Sequence, residues 1–196
     1  MPTKPFLTDL KTIQQRARAH VENGAVTEGY RADRDAVVGI LNEALATEIV
    51  CVLRYKRHFF MAAGLPSQSI ADEFRQHAAE EQEHADRIAQ RIVQLGGSPD
   101  LSPAGMLTRS HSEYVEGETL VDMVQEDLVA ERIAIDTYRD VIRYLGDDDP
   151  TSRRMLEEIL ATEEEHAEDL VSLLKGIDEQ LTGREAGHDG AGAPAG

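Results

Sequence analysis

The sequence predicts an all-α fold, a four-helix bundle with one long crossover and an extra helix before the bundle. Long stretches rich in Ala, Glu, Leu and Arg repeat apolar residues at steps of three and four, as helices do. No segment shows the alternating, β-branched pattern of a strand. Two short turns and one long connection divide the periodic stretches, and 196 residues that are 41% hydrophobic suffice for one domain.

Each bundle helix is predicted from one apolar stripe that polar residues interrupt near its middle. Residues three or four positions apart share a helical face, so each stripe should face the bundle interior. The stripes are Val38, Leu41, Leu45, Glu48, Val52, Tyr55 and Phe59; Phe74, His77, Glu81, His84, Ile88 and Leu95; Val124, Leu128, Glu131, Ile135, Tyr138, Ile142 and Leu145; and Leu156, Ile159, Glu163, His166, Leu170, Leu173 and Ile177.

The connections predict how these helices are ordered. Residues 64–67 and 146–150 are short and contain Gly and Pro, so each should join an antiparallel helical hairpin. Residues 96–117 form a longer connection that can cross the length of the bundle and has room for a short helical turn.

Three segments are predicted. Residues 1–33 form an N-terminal helical extension, in which Leu7, Leu10, Ile13 and Val21 indicate one amphipathic helix. Residues 34–180 form the bundle. Residues 181–196 are rich in Gly and Ala and are expected to be a disordered tail.

Composition restricts the function classes. The net charge is -17, which argues against a nucleic-acid surface and favours cations as partners. One alternative is a DNA-binding protection protein, whose contacts would be the basic N-terminal residues Lys4, Lys11, Arg16 and Arg18. Asp9 and Glu22 lie among these residues and weaken the basic patch. We expect no membrane-spanning stretch, no secretory leader and a cytoplasmic location. Cys51 is the only cysteine, which excludes an internal disulfide and a thiolate-rich metal cluster in one chain.

Acidic and histidine residues occupy the middle of all four stripes. They are Glu48; Glu81 with His84; Glu131; and Glu163 with His166. A carboxylate buried without compensation costs several kcal/mol, and no Lys or Arg occupies a matching stripe position. Two divalent cations would balance four carboxylates. The pattern therefore predicts a two-metal site inside the bundle.

The spacing also discriminates between neighbouring acids. Glu163 shares the stripe of its helix, whereas Glu164 and Glu165 should point to solvent. Glu80 could also reach His84 from one turn back. Glu81 is preferred because the same spacing of three residues then recurs in both Glu-x-x-His pairs.

Residues 41–60, 81–86 and 163–166 resemble bacterioferritins and related Dps-like proteins of the ferritin superfamily, over about residues 35–175. The resemblance implies a ferritin-like bundle with two iron ions per subunit, for which manganese or zinc could substitute. It implies that Glu48 and His84 bind one metal and that Glu131 and His166 bind the other. Glu81 and Glu163 would bridge the two.

The implied activity is that of a ferroxidase, an enzyme that oxidises Fe(II) with O2 or H2O2 and here would store iron in an oligomeric shell. Two metals about 3.5–4 Å apart allow one oxidant to contact both. Two alternatives remain open: a non-storing di-iron redox enzyme such as a rubrerythrin-like peroxidase, and an encapsulated ferritin-like protein. No rubredoxin-type cysteine pairs are present to supply electrons to the first.

Departures from the family pattern change two expectations. Gln82 stands where bacterioferritins carry the methionine that binds haem, so no haem is expected. Beyond Gly176 the chain passes into low-complexity sequence instead of a fifth helix. Segments 95–97, 130–132 and 146–150 resemble Dps-like proteins, although the characteristic cysteine pair of that group is missing. We therefore expect a homo-oligomer of 12 subunits, with 24 as the alternative.

Three further residues lie on the stripes. Tyr55 and Tyr138 each follow a stripe glutamate by seven residues, so each should hydrogen-bond a ligand or donate an electron, or else fill the core. His77 is expected to support a ligand and not to be one.

Overall fold

The computed structural model describes the backbone of residues 8–62 and 68–188, and side chains as far as residue 179. It contains six α-helices within these ranges: α1 (Leu10–Arg18), α2 (Arg34–Ala62), α3 (Gln68–Gln94), α4 (Met106–Arg109), α5 (Leu120–Leu145) and α6 (Pro150–His188). A short 3-10 turn spans Val21–Asn23. The described ranges hold no strand, so the all-α prediction is confirmed.

Two helical hairpins form the bundle. Helix α2 packs along α3, α5 packs along α6, and the hairpins meet through contacts of α2 with α5 and of α3 with α6. The predicted turn at residues 64–67 lies outside the described residues. The second predicted turn joins α5 to α6 directly.

The long crossover is fastened to the side of α2. The side chain of Asn42 donates to the backbone carbonyl of Ser98 at 3.2 Å and accepts from the backbone N–H of Asp100 at 2.7 Å. Helix α4 is the predicted short turn within this connection. The crossover ends at Thr119, which starts α5 with a reciprocal capping box formed with Asp122.

Two large apolar clusters lie one on each side of a polar layer, and a small third cluster joins Ala46 and Val50 of α2 to Met106 of α4. One cluster includes Leu41, Leu45, Ile88, Ile92, Leu156 and Ile159. The other includes Tyr55, Phe74, Val124 and Leu170. The layer between them is where the stripes carry Glu and His, so the core isolates those polar groups from both ends of the bundle.

Two buried ionic networks tie the connections to the helices. Asp127 accepts from Nε of Arg54 and faces Nδ1 of His58, both at 2.8 Å, and Arg54 also donates to the backbone carbonyl of Glu113. In the second network, Asp149 accepts from Arg91, Ser152 and Tyr30. Each of these buried acids has cationic or hydroxyl partners within the chain, as buried charges require.

The segments outside the bundle are described in part. Helix α1 has no buried residue, and Leu10 is 67% exposed. Leu7 lies outside the described residues. The backbone of α6 is helical as far as His188, beyond the predicted start of the tail at residue 181. The boundaries of the three predicted segments stay predictions.

The expectation that no stretch is apolar enough to span a membrane is wrong for α2. An 18-residue window of this helix has a mean hydropathy of 1.9, so by length and composition alone the helix is apolar enough to cross a membrane. Helix α2 contacts α3, α4 and α5, and 56% of the window is buried inside the protein. A helix enclosed on several sides becomes apolar on several faces, which explains its composition.

Replacing Asp127 by Ala should lower the free energy of unfolding by about 3–5 kcal/mol, because the Arg54 guanidinium would remain buried without its anion. Denaturant titration measures the loss. The matched control is Glu116→Ala, which breaks a pair between Arg57 and a side chain that is 64% exposed and should cost less than about 1 kcal/mol. Equal losses would contradict a structural role for the buried pair.

Candidate metal centre

The structure brings together the six Glu and His residues of the polar layer. Glu48 comes from α2, Glu81 and His84 from α3, Glu131 from α5, and Glu163 and His166 from α6. All six are buried, and His84 is the most exposed of them at 4%. The neighbouring Glu164 and Glu165 are exposed, in line with the spacing argument.

The six residues form two overlapping groups of four ligand-type side chains. One group holds Glu48, Glu81, His84 and Glu163, and the other holds Glu81, Glu131, Glu163 and His166. Within each group one ligand atom of every residue lies within 4.8 Å of the others. Glu81 and Glu163 belong to both groups.

The two shared carboxylates divide their oxygens between the two histidines. Nδ1 of His84 lies 3.6 Å from Oε2 of Glu81 and 3.0 Å from Oε1 of Glu163. Nδ1 of His166 lies 3.5 Å from the other oxygen of each, Oε1 of Glu81 and Oε2 of Glu163. Each shared carboxylate thus turns one oxygen towards each histidine.

Most inward-facing atoms of the centre have no hydrogen-bond partner among the described residues. They are Oε2 of Glu48, Oε1 of Glu81, Nδ1 of His84, Oε2 of Glu131, both oxygens of Glu163 and Nδ1 of His166. Buried polar atoms are nearly always satisfied in proteins. Four carboxylates and two imidazoles suit first-row divalent metals, so the residues present fit a pair of such ions.

Two tyrosines hold the outer glutamates from the opposite helix. Tyr138 on α5 donates to Oε1 of Glu48 on α2, and Tyr55 on α2 donates to Oε1 of Glu131 on α5. The paired positions run in opposite orders along the two helices, so α2 and α5 are antiparallel here. Each glutamate has one oxygen fixed by a hydroxyl and Oε2 left without a hydrogen bond.

Glu80 bonds His166 on α6 and not His84 on its own helix. Its Oε2 lies 2.8 Å from Nε2 of His166, so the bond directs Nδ1 of that ring into the centre. The spacing along α3 indicated Glu80 only as a partner of His84. Spacing along α3 could not predict the bond to His166, because that bond joins two different helices.

Burial and mutual repulsion change the proton affinities of the centre. Burial and the charge of Glu81 raise the pKa of Glu48 to about 8, and burial raises the pKa of Glu131 well above its usual range. Burial alone would lower the pKa of His166, but the nearby carboxylates of Glu163 and Glu81 raise it to about 12. Cations that bind this centre would therefore compete with protons.

His77 lies next to the centre without pointing a nitrogen into it. Its ring stacks on His166 with 4.0 Å between centroids, and its Nδ1 lies 3.3 Å from the hydroxyl of Tyr55. Arg54 and His58, which lie four residues apart on α2, were not predicted from the sequence. The signal that could have found them is Asp127, one turn before Glu131 on the facing helix.

Residues 38–179 match the family model of the ferritin-like domain. The chain belongs to the ferritin-like family. Bacterioferritins from Desulfovibrio desulfuricans and Mycobacterium leprae are 26% and 30% identical to it, over 164 and 139 residues. These matches cover 81% and 70% of this chain and 88% and 83% of the two relatives.

Solved structures show the same ferritin-like relationship. The dodecameric thioferritin of Bacteroides fragilis, a bacterioferritin-related protein, is 29% identical with a TM-score of 0.73, covering 77% of this chain and 91% of that one. The bacterioferritin of Rhodobacter capsulatus, solved with a metal-free dinuclear site and haem iron, is 27% identical with a TM-score of 0.68. This match covers 76% of the present chain and 89% of the bacterioferritin chain. Dps from Thermosynechococcus elongatus shares the fold, with 20% identity and a TM-score of 0.68. This match covers 71% of the present chain and 90% of the Dps chain.

Divalent metal should raise the melting temperature of the ferritin-like bundle, because a ligand that binds only the folded state stabilises it. The gain is about 2.7 kcal/mol at a free metal concentration 100 times Kd. Calorimetry with zinc, manganese or anaerobic iron(II) measures the shift. Glu163→Gln should reduce it, whereas exposed Glu165→Gln should not. No shift with any of the three metals would contradict a metal centre.

Proposed function

We propose that the protein is an iron-binding ferroxidase that oxidises Fe(II) with O2 or H2O2 at this centre and stores iron in an oligomeric shell. The observation that carries the proposal is the division of the Glu81 and Glu163 oxygens between His84 and His166. The bacterioferritin relatives support an iron-storage function at the level of the family.

Each of the six residues has a role in this proposal. Glu48 and His84 would hold one iron and Glu131 and His166 the other, with Glu81 and Glu163 shared between the two. When bound, the two irons supply two electrons to one oxidant molecule. The six residues would act as ligands and as catalytic residues together, with manganese or zinc as substitutes.

The surrounding residues fix the ligands and control protons. Tyr55 and Tyr138 restrain Glu131 and Glu48, so each outer carboxylate presents one oxygen in a defined direction. Glu80 orients His166 in the same way. The apolar clusters on both sides keep bulk water out of the polar layer. Burial raises the pKa of Glu48, so this ligand would release a proton when a cation binds.

Several finer expectations remain part of the proposal. The thioferritin relative is dodecameric, which favours 12 subunits over 24. Absence of haem rests on Gln82 alone, and the Rhodobacter capsulatus relative contains haem iron.

A cytoplasmic location and the absence of nucleic-acid binding stay predictions. A non-storing redox enzyme and an encapsulated ferritin-like protein are the alternatives, and storage capacity separates both from the proposal.

The test of storage is anaerobic loading with increasing Fe(II), followed by O2 or H2O2 and by counting the iron that stays soluble with the protein. Retention well beyond two irons per chain is the expected result, because a shell must hold more iron than its centres. Saturation at two would leave the centre and exclude storage. Faster oxidation by O2 would favour a bacterioferritin-like reaction, and faster oxidation by H2O2 would favour a Dps-like one.

Replacing Glu81 by Ala should slow Fe(II) oxidation by more than about tenfold, since even loss of a partner that only orients a ligand costs about 10–100-fold. Stopped-flow absorbance gives the rate. Glu83→Ala is the matched control, because Glu83 is an exposed acid on the same helix. Equal rates for the two variants would show that the bridging carboxylate lies elsewhere.

A further inference from the structure

A second cluster of ligand-type side chains lies at the edge of the bundle, outside the six residues of the proposed centre. It consists of Glu73 and His77 on α3 and Asp169 on α6. Nε2 of His77 lies 3.4 Å from Oε1 of Glu73 and 3.9 Å from Oδ2 of Asp169. One ligand atom of each residue lies within 4.8 Å of the other two.

Hydrogen bonding determines which nitrogen of His77 carries the proton. The Tyr55 hydroxyl has a single proton and donates it to Glu131, so it can only accept from Nδ1 of His77, which lies 3.3 Å away. A neutral His77 is therefore protonated on Nδ1 and has a lone pair on Nε2. Nε2 is buried and has no hydrogen-bond partner among the described residues.

Three acceptors therefore face one another without a donor. The imidazole lone pair and two carboxylates would repel or remain unsatisfied unless a proton or a cation lies between them. In the part of the chain that the structure describes, no Lys or Arg forms an ion pair with Glu73 or Asp169. A water molecule or a cation from solution can satisfy this cluster, and two carboxylates that face an imidazole lone pair make it a complementary site for the cation.

The cluster differs from the proposed centre in its access to solvent. The side chains of Glu73 and Asp169 are 28% and 54% exposed, whereas that of His77 is fully buried. The two acids thus open to solvent on one side. On the other side the His77 ring stacks on His166. A cation bound here would lie between solvent and a ligand of the proposed centre.

We propose that Glu73, His77 and Asp169 form a third divalent-cation site, which binds one transition-metal ion at the solvent edge of the bundle. One imidazole and two carboxylates suit Fe(II), Mn(II), Co(II) or Zn(II) better than calcium or magnesium, which prefer all-oxygen ligands. The partly exposed acids leave coordination positions for water. This site does not depend on the proposed ferroxidase function.

Zinc titration of the metal-free, full-length protein against a chromophoric chelator tests the site. Wild type should bind three ions per chain, and the double variant Glu73→Gln with Asp169→Asn should bind two. Both acids are partly exposed and the substitutions keep their shape, so the variant should fold. The paired control, Glu83→Gln with Glu165→Gln, removes two exposed acids from the same helices and should still bind three.

The decisive quantity is the difference of one ion between wild type and the double variant. Equal counts would overturn the site. A wild type that binds one ion and a double variant that binds none would contradict the di-metal centre and still support this site. Crystals soaked in zinc give a direct readout, since an anomalous peak is expected beside Nε2 of His77. Its absence at saturating zinc would overturn the assignment.

Discussion

The burial of four carboxylates in one layer of a helix bundle is the constraint on which the rest of the structure depends. Glu48, Glu81, Glu131 and Glu163 are each at most 1% exposed, and desolvating an ion costs several kcal/mol. The two histidines and the two tyrosine hydroxyls offset part of that cost, and the cations of the proposed centre would offset the rest. Each helix must therefore keep its register, because moving one turn along the axis would leave a carboxylate facing apolar side chains.

The molecule contains two kinds of buried charge, and the contrast between them is informative. Asp127 and Asp149 have all their partners inside the chain, with an arginine for each, so these networks hold the crossover and the α5–α6 turn in place. The carboxylates of the polar layer lack arginine or lysine partners in the described residues, and several of their oxygens accept nothing. The Asp127 and Asp149 networks, whose charges are paired within the chain, serve the structure. The polar layer, whose oxygens lack donors, is complementary to a cationic ligand.

The stripes predicted much of this arrangement. They identified the six residues that the structure brings together, and they separated Glu163 from Glu164 and Glu165, because helical period decides which side chains share a face. They did not reveal contacts between helices. Glu80 on α3 bonds His166 on α6, and His58 on α2 faces Asp127 on α5. Such pairs depend on the relative rotation and axial shift of two helices, which the period of either helix does not contain.

The sequence by itself determined the helical class, the hairpin order and the face on which each polar residue lies, because these follow from local periodicity and turn chemistry. The tertiary structure decided how the oxygens of Glu81 and Glu163 are shared and which tyrosine restrains which glutamate. It also placed Asp169 of α6 beside His77 of α3. These depend on distances of a few ångströms between elements far apart in the chain, and only the packing of the four helices sets such distances.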